Sequence, residues 1–247
     1  MAPINNDELL VSLVIPVLND AAALGALLPA LGLPTSGLTA SPPDPVVQVT
    51  VVNGGEADDH GIAALRDRFP SVEWRHSIPG RGAQMNVGAE RARGRWLVFL
   101  HADTRLEPGW IDLIRRVDED PRIVGGSFRF ALDSPARWAR WIESGVWARV
   151  RLFNLPYGDQ ALFVRRAIFQ EMGGYRALPL MEDVDFVRRL GRRGRLEHAG
   201  VRALTSARRW ERDGWVGRTM ENSLLLALFL MGWPPERLAR RYNRGRQ

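Results

Sequence analysis

The alternation of short apolar runs with amphipathic stretches is the feature that most constrains the fold of this chain. Three runs are apolar on both faces, namely LLVSLVIPVL (9–18), VVQVTVVN (46–53) and RWLVFL (95–100). Between them lie stretches whose apolar residues have helical spacing, at 20–31, 61–69 and 82–92. Strands of a parallel sheet are continuously apolar because crossover helices cover both of their faces. The pattern therefore predicts an α/β fold, with a mostly parallel sheet flanked by helices.

The second half of the chain is less regular. Further strands are predicted at 72–76, 123–130 and 161–166, and helices at 136–153 and from Glu182 onward. From Arg212 to the last residue the sequence is helical in pattern and rich in arginine. We find no internal repeat, so the 247 residues are expected to form one large domain with a small appendage.

Composition excludes several kinds of chemistry. The chain has no cysteine, which excludes disulfides, thiolate nucleophiles and zinc–thiolate sites. Its formal net charge is +6, and because it contains no lysine, all 34 basic side chains are arginine. Arginine binds phosphate in a bidentate manner, but codon usage in a GC-rich genome explains the same bias. Both explanations stay open, and no nucleic-acid-binding motif accompanies the scattered arginines.

The sequence also bears on location. The first residues lack the basic and apolar regions of a secretory signal. The apolar run at 224–233 is too short to span a bilayer. We therefore expect a cytoplasmic protein. The segments 136–153 and 224–233 have two explanations: ordinary core packing, or faces that lie on the inner surface of the cell membrane.

Polar side chains follow the apolar strands where each of them ends. Asn19 and Asp20 follow the first strand, Asn53 ends the second, and His101 and Asp103 follow the third. Ligands of open parallel sheets bind beyond the carboxyl ends of the strands. A carboxylate such as Asp103 is a suitable ligand for Mg²⁺ or Mn²⁺. On spacing alone it could equally cap a helix that begins near residue 108.

Several ordered motifs together resemble a known family. They are SLVIPVLND, VTVVNGGEADD, GRGAQMNVGAERARGRWLVFLHADTRLEPGW, YGDQALFVRRAIFQEMGGY and LMEDVDFVRRL. Over about residues 9–209 this order resembles the family 2 glycosyltransferases of the GT-A fold, most closely a bacterial branch whose substrates are poorly defined. The resemblance implies inverting transfer of a sugar from a nucleotide-diphosphate donor to an acceptor hydroxyl. It also implies a GT-A domain at 1–210, made of a nucleotide-binding half (1–105) and an acceptor half (106–210), before a helical basic extension (211–247).

The resemblance assigns the metal ligand and the base. HAD stands where the family has its Asp-x-Asp motif, so Asp103 would bind a divalent cation, Mn²⁺ or Mg²⁺, that bridges to the donor diphosphate. In MEDVDF, Asp183 would be the general base, and Glu182 would cap the helix or orient that base. Asp185 precedes Arg189 by four residues, which is the spacing of an ordinary helix ion pair.

The resemblance further implies a set of donor and acceptor contacts. Their segments match those that surround the nucleotide, the diphosphate and the acceptor, and the residues are Pro16, Asn19, Asn53, Asp58, Arg81, Gln84, Asn86, His101, Ala102, Asp159, Gln160, Arg208, Arg209 and Trp210. His101 and Asn53 depart from the family, which commonly has aspartate at both positions. Each has an ordinary alternative, His101 as a histidine at a strand end and Asn53 as a turn residue. His198 is a further candidate metal ligand.

Three other functions compete with this one. A nucleotidyltransferase would need a basic glycine-rich loop after the first strand, where this chain has PVLNDAAAL. A degenerate protein of the same fold would bind a nucleotide without turnover, and the departures at His101 and Asn53 keep that alternative open. A peripheral membrane-binding module would use the two apolar segments, which would also suit a lipid-linked acceptor.

Overall fold

The computed structural model describes residues 9–33, 35, 46–56 and 59–244, without the side chains of 243 and 244. This part of the chain forms one sheet whose strands are β1 (Val11–Val17), β2 (Val47–Asn53), β3 (Glu73–His76), β4 (Trp96–Phe99), β5 (Thr104–Leu106), β6 (Ile123–Asp133), β7 (Leu162–Arg165) and β8 (Arg195–Ser206). The helices are α1 (Ala21–Ala30), α2 (His60–Arg68), α3 (Arg81–Glu90), α4 (Trp110–Asp118), α5 (Arg137–Phe153), α6 (Arg166–Glu171), α7 (Glu182–Leu190), α8 (Arg208–Asp213), α9 (Trp215–Leu230) and α10 (Pro235–Arg244). A short 3-10 helix spans Gly158–Gln160.

The strand order explains how the sheet combines two directions. It runs β3-β2-β1-β4-β7-β6-β8-β5. Strands β3, β2, β1 and β4 are parallel, β7 is antiparallel to both of its neighbours, β6 and β8 are parallel, and β5 is an antiparallel edge strand. The predicted α/β fold with a mostly parallel sheet is confirmed.

Helices cover the sheet in two layers. Leu13 and Ile15 of β1 face a cluster that includes apolar residues of α1, α2 and α4. Val14, on the opposite face of the same strand, belongs to a cluster with residues of α3, α6 and α7. Every residue of β1 is buried, as the apolar run predicts.

Aspartates fix the start of the first two helices. The Asp20 carboxylate accepts a hydrogen bond from the backbone N–H of Ala23 at 3.1 Å. Asp59 accepts from Gly61 at 2.8 Å and from Ile62 at 3.2 Å. Such side-chain caps satisfy N–H groups that have no partner within the helix. Because β1 and β2 are parallel, both helices begin at the same edge of the sheet, where the candidate site lies.

The second half contains elements that the sequence did not predict. The long strand β8 and the edge strand β5 were both missed. Position 210 lies within helix α8, and the division of the chain there stays a prediction. No helix of the described ranges is long and apolar enough to cross a bilayer.

The explanation of the segment 136–153 as ordinary core packing is only partly correct. Ala139, Ile142 and Val150 of α5 are buried, and the first two pack against β6 and α8. Trp138 and Trp141, in contrast, point outward and are exposed. Helix α5 is therefore apolar on a buried face and also on a face that meets solvent.

Candidate active site

Two adjoining cavities lie beyond the carboxyl ends of β1 and β4. The first, which we call the strand cavity, has a volume of about 460 Å³ and is lined by Pro16, Asp20, Gly80 and Ala102, among others. The second, the helix cavity, has a volume of about 110 Å³ and lies among the starts of α7 and α8 and the inner face of α9. Both cavities are lined by Arg81, His101, Asp103, Glu182, Arg209 and Tyr242. The shared wall brings together titratable residues that are far apart in the sequence.

The segment after β4 is held in place by β8. The backbone carbonyl of Asp103 accepts a hydrogen bond from the Ser206 N–H at 2.9 Å. The hydroxyls of Thr104 and Thr205 bond at 2.9 Å, and that of Thr205 donates to the backbone carbonyl of Asp159 at 3.0 Å. These bonds position Asp103, whose carboxylate lies 3.9 Å from the Arg209 guanidinium.

Gly158 separates His101 from Asp183. A Cβ atom at position 158 would lie 3.2 Å from His101 Nε2 and 3.3 Å from Asp183 Oδ2. The Gly158 N–H donates to Asp183 Oδ2 at 2.7 Å, while Asp183 Oδ1 accepts from Val184 N–H at 2.8 Å. The carboxylate of Asp183 is thus fixed at the start of α7, where it lines the helix cavity.

Burial and nearby charges set the ionisation of two groups beside Asp183. Burial lowers the pKa of His101 well below its usual value, and the charges of Arg81 and Arg209 lower it further. The imidazole is therefore neutral and has one nitrogen free to accept a hydrogen bond. Burial and then the charge of Asp183 raise the pKa of Glu182, whose carboxylate lies 3.8 Å from Arg81.

Several predicted ligand contacts instead use their amides to tie backbone segments together. Asn53 bonds to the backbone of Gly55 and Glu56 within its own turn. Gln84 donates to the carbonyls of Val17 at 2.7 Å and Val52 at 2.9 Å. The remaining amides are those of Asn86, which bonds to both backbone groups of Tyr175, and Gln160, which accepts from the Tyr157 N–H and donates to Phe128. These four amides therefore have clear scaffolding roles, and their contacts to a ligand stay predictions.

The other predicted residues occupy varied positions. Asn19 has a left-handed backbone with φ of 52° and is exposed at the end of β1. Arg208 is exposed and pairs with Asp20 at 2.8 Å. Asp58 lies outside the described residues. His198 lines a separate cavity beside Ser127 and bonds to Asn154, away from Asp103.

The helix cavity contains buried polar atoms that find no partner in the described part of the chain. They are the Tyr157 hydroxyl, Asp159 Oδ1, Trp210 Nε1 and Arg218 Nε. A buried polar group without a hydrogen bond destabilises a fold by about 1–3 kcal/mol. Four such groups around one cavity indicate a place for a polar ligand. Arg218 lies outside every motif quoted above, and Tyr157 begins the YGDQ motif but was not singled out as a site residue.

The helix cavity also raises the pKa values of two of these groups. Burial raises the pKa of Tyr157 to about 12, although the Arg149 guanidinium, 3.6 Å from its ring centre, opposes the shift. Burial raises the pKa of Asp159 to about 6, with Arg149 lowering it and Asp183 raising it. Tyr157 is therefore a hydrogen-bond donor at neutral pH, and Asp159 changes its charge just below neutrality.

The candidate site has few side chains that could bind a metal ion. Among the residues that the structure describes, no three histidine or acidic side chains converge as a cation site. Mg²⁺ commonly uses only one or two carboxylates, with substrate phosphates and waters completing its coordination. Asp103 faces both cavities and fits that mode as a single carboxylate.

Comparisons with known proteins agree on one class. The sequence model described as "Glycosyl transferase family 2" matches residues 12–178. Two proteins named "PGL/p-HBAD biosynthesis glycosyltransferase", from Mycobacterium bovis (strain BCG / Pasteur 1173P2) and Mycobacterium tuberculosis (strain ATCC 25177 / H37Ra), are each 29% identical over 188 residues. These alignments cover 71% of this chain and 67% of each relative.

Solved structures give the same fold. The crystal structure of S. aureus TarS 1-349 superposes with a TM-score of 0.56 at 12% identity, covering 86% of this chain and 63% of that one. The same TarS fragment in complex with UDP-GlcNAc gives 0.54 at 15% identity, covering 80% and 58%. This chain thus spans about three fifths of the TarS chains that it matches.

The sheet, the cavities at its strand ends and these likenesses define a glycosyltransferase of the GT-A type. The chain belongs to glycosyl transferase family 2.

The raised pKa of Asp159 predicts a pH dependence of stability. Its pKa is about 6 in the folded state against 3.8 ordinarily, so the folded chain holds this proton more tightly than the unfolded chain. The wild type should lose stability as pH rises from about 4 to 7, and Asp159→Asn should remove that loss, gaining about 2 kcal/mol relative to the wild type. Urea unfolding of both proteins between about pH 4 and 7 measures this difference in the free energy of unfolding. The gain should vanish below about pH 4, and a difference that is constant with pH would contradict the assignment.

Proposed function

We propose that this chain transfers a sugar from a nucleotide-diphosphate donor to an acceptor hydroxyl by direct displacement with inversion at the anomeric carbon. The observation that supports this most is the pair Asp103 and Asp183 on one continuous space, with His101 and Gly158 between them. Asp103 also lines the strand cavity, whereas Asp183 lines only the helix cavity, and this difference supports a role for Asp103 on the donor side and for Asp183 on the acceptor side. The division into a nucleotide-binding half (1–105), an acceptor half (106–210) and an extension (211–247) is part of this proposal.

The strand cavity is the proposed donor site. It lies at the ends of β1 and β4, the usual place for ligands of such sheets, and Arg81 and Arg209 line it. Guanidinium groups form strong, charge-assisted hydrogen bonds with phosphate oxygens. A protein of similar fold has been crystallised with UDP-GlcNAc, which supports a nucleotide sugar as donor. Pro16, Asn19 and Ala102 would contact the nucleoside from the strand ends.

Asp103 is the proposed ligand of a divalent cation, Mn²⁺ or Mg²⁺. When bound, such an ion would neutralise charge that develops on the leaving diphosphate. Arg209, 3.9 Å from Asp103, would add a second positive charge on the same side. Neutral His101 would accept a hydrogen bond from a donor hydroxyl or from a bound water.

Asp183 is the proposed general base. Its carboxylate is held by the N–H groups of Gly158 and Val184, which leave lone pairs for the proton of the attacking hydroxyl. As the hydroxyl oxygen bonds to the anomeric carbon, its proton passes to Asp183 and the bond to the diphosphate breaks. Glu182 pairs with Arg81 at 3.8 Å and would orient that arginine toward the donor.

The helix cavity is the proposed acceptor site. Tyr157, Trp210 and Arg218 offer unpaired N–H or O–H donors there, and Asp159 offers an unpaired oxygen. This set suits an acceptor with several oxygen atoms, such as a hydroxylated ring, and a lipid-linked acceptor of this kind is part of the proposal. An apolar acceptor would leave all four groups unpaired at a substantial cost.

The role of Asp183 can be tested against a neighbour on the same helix. Asp183→Asn cannot accept a proton, so turnover of a nucleotide sugar should fall about 10³-fold, while nucleotide binding stays near the wild-type value. Asp185→Asn is the matched control. Asp185 pairs with Arg189 at 2.7 Å and Arg176 at 3.1 Å, so its loss should cost stability rather than turnover. The rate at which each variant releases nucleoside diphosphate measures its turnover. Full turnover by Asp183→Asn would show that Asp183 is not the general base.

The role of Asp103 can be measured without a known acceptor. In the wild type, UDP with Mn²⁺ should raise the unfolding temperature by about 5 °C, well above either alone. Asp103→Asn should lose the part of the shift that depends on Mn²⁺. Asp133→Asn, which removes an exposed carboxylate paired with Arg105, should keep it. A Mn²⁺-dependent shift that persists in Asp103→Asn would place the cation elsewhere.

The acceptor site can be tested with two Tyr→Phe variants. The hydroxyls of Tyr157 and Tyr175 are both buried without a partner in the described residues, but only Tyr157 lines the helix cavity. Neither variant should lose unfolding free energy, and each could gain up to about 1 kcal/mol. Tyr157→Phe alone should raise the acceptor KM, by about tenfold, in assays with a panel of alkyl glycosides. Equal KM values for the two variants would count against this site.

A further inference from the structure

Exposed apolar side chains of this protein are concentrated in one region. Among the described residues, thirteen large apolar side chains are exposed, and all except Leu18 and Ile78 lie between Trp138 and Trp233. Single exposed apolar residues are ordinary on protein surfaces, whereas a contiguous group marks an interaction site. The eleven exposed residues from Trp138 to Trp233 belong to α5, to α9 and to the segment that follows α9.

A groove makes this group contiguous. The outward stripe of α5, from Trp138 to Arg149, and the stripe of α9 from Trp215 to Ser223 enclose a space of about 470 Å³. The residues recur along both helices at intervals of three or four, so each helix presents one continuous side to the groove. We call this feature the α5–α9 groove.

The charge around the groove is positive. Helix α5, which forms one wall of the groove, carries four arginines and one glutamate, a net charge of +3. At the two ends of α5, Arg137 and Arg151 are exposed, and neither pairs with an acidic side chain of the described ranges.

We propose that the α5–α9 groove and the exposed residues around it dock on the surface of an anionic lipid bilayer. Tryptophan is suited to the boundary between acyl chains and headgroups, since its ring is apolar and its N–H is polar. Arginine binds the phosphates of anionic lipids beside it. A second copy of the chain packed on the same face would bring the arginines of one α5 toward those of the other, which is unfavourable.

The docked orientation has a consequence for the reaction. The outer side of α9 lines the groove with Val216 and Met220, while its inner side lines the helix cavity with Arg218, Asn222 and Leu225. On the α5 side, Arg149 lines the groove and stacks on Tyr157 of the helix cavity. Docking would therefore bring the proposed acceptor site within a helix diameter of the lipid, although lipid binding itself does not require the proposed function.

Vesicle sedimentation tests the proposal with closely matched variants. The wild type should pellet with vesicles of phosphatidylcholine and phosphatidylglycerol, bind pure phosphatidylcholine more weakly, and bind less at high NaCl. Trp141 and Ile78 are each 73% exposed, but only Trp141 lines the groove. Trp141→Ser and Met220→Ser should each weaken vesicle binding, and the double variant should weaken it by about tenfold or more. Ile78→Ser should bind as the wild type does.

Unchanged unfolding temperatures, and an unchanged UDP-dependent shift, would establish that the groove variants are folded. Three results would overturn the proposal. One is a wild type that fails to pellet with anionic vesicles at any lipid concentration. Another is an equal loss of binding in Ile78→Ser. The third is a dimer, seen by analytical ultracentrifugation, that Trp141→Ser dissociates while vesicles have no effect, because a second copy would then cover the groove.

Discussion

The approach of Gly158 to His101 and Asp183 is the constraint on which the rest of the site depends. The sheet topology produces it. Because β7 is antiparallel to β4, with Leu162 opposite Phe99, the segment that precedes β7 arrives where β4 ends. The 3-10 helix at Gly158–Gln160 therefore meets the His101–Asp103 segment, and Thr205 at the end of β8 bonds to both sides of the junction. A purely parallel sheet would have sent that segment to the opposite edge.

The first half of the fold was predictable because local signals and tertiary packing agree there. The apolar runs mark β1, β2 and β4, and Asp20 caps the first helix as its position suggests. The long strand β8 was not predictable in the same way. Its burial changes irregularly along the strand, and its pairing with β6 shifts register. Such a strand shows neither the alternation of apolar and polar residues nor the continuous apolar run from which strands are predicted.

The site was predictable in part, for a related reason. Predicted site residues such as Asp103, Asp183 and Arg209 do line one space. Arg218 and Tyr242 line it as well, but they come from helices α9 and α10, whose positions follow from packing across the molecule and from no local pattern. The tryptophans of α5 illustrate the reverse difficulty, since an apolar helical stripe looks the same in sequence whether it faces a core or solvent.

Side-chain amides around the site bond to backbone groups and hold its segments together. Gln84 joins the carbonyl groups at the ends of β1 and β2, and Asn86 joins α3 to Tyr175. Buried amides that satisfy backbone groups in this way make a framework rigid. A residue can therefore belong to a family motif because it holds the ligand-binding loops, without contacting the ligand.

Position 158 also limits how the candidate site could be remodelled. Any side chain at position 158 would place its Cβ 3.2 Å from the imidazole of His101 and 3.3 Å from the carboxylate of Asp183, so one of these two groups would have to shift. Variants aimed at the proposed acceptor site are better made at Trp210 and Arg218, which project from α8 and α9, beyond the residues 12–178 that the family model matches.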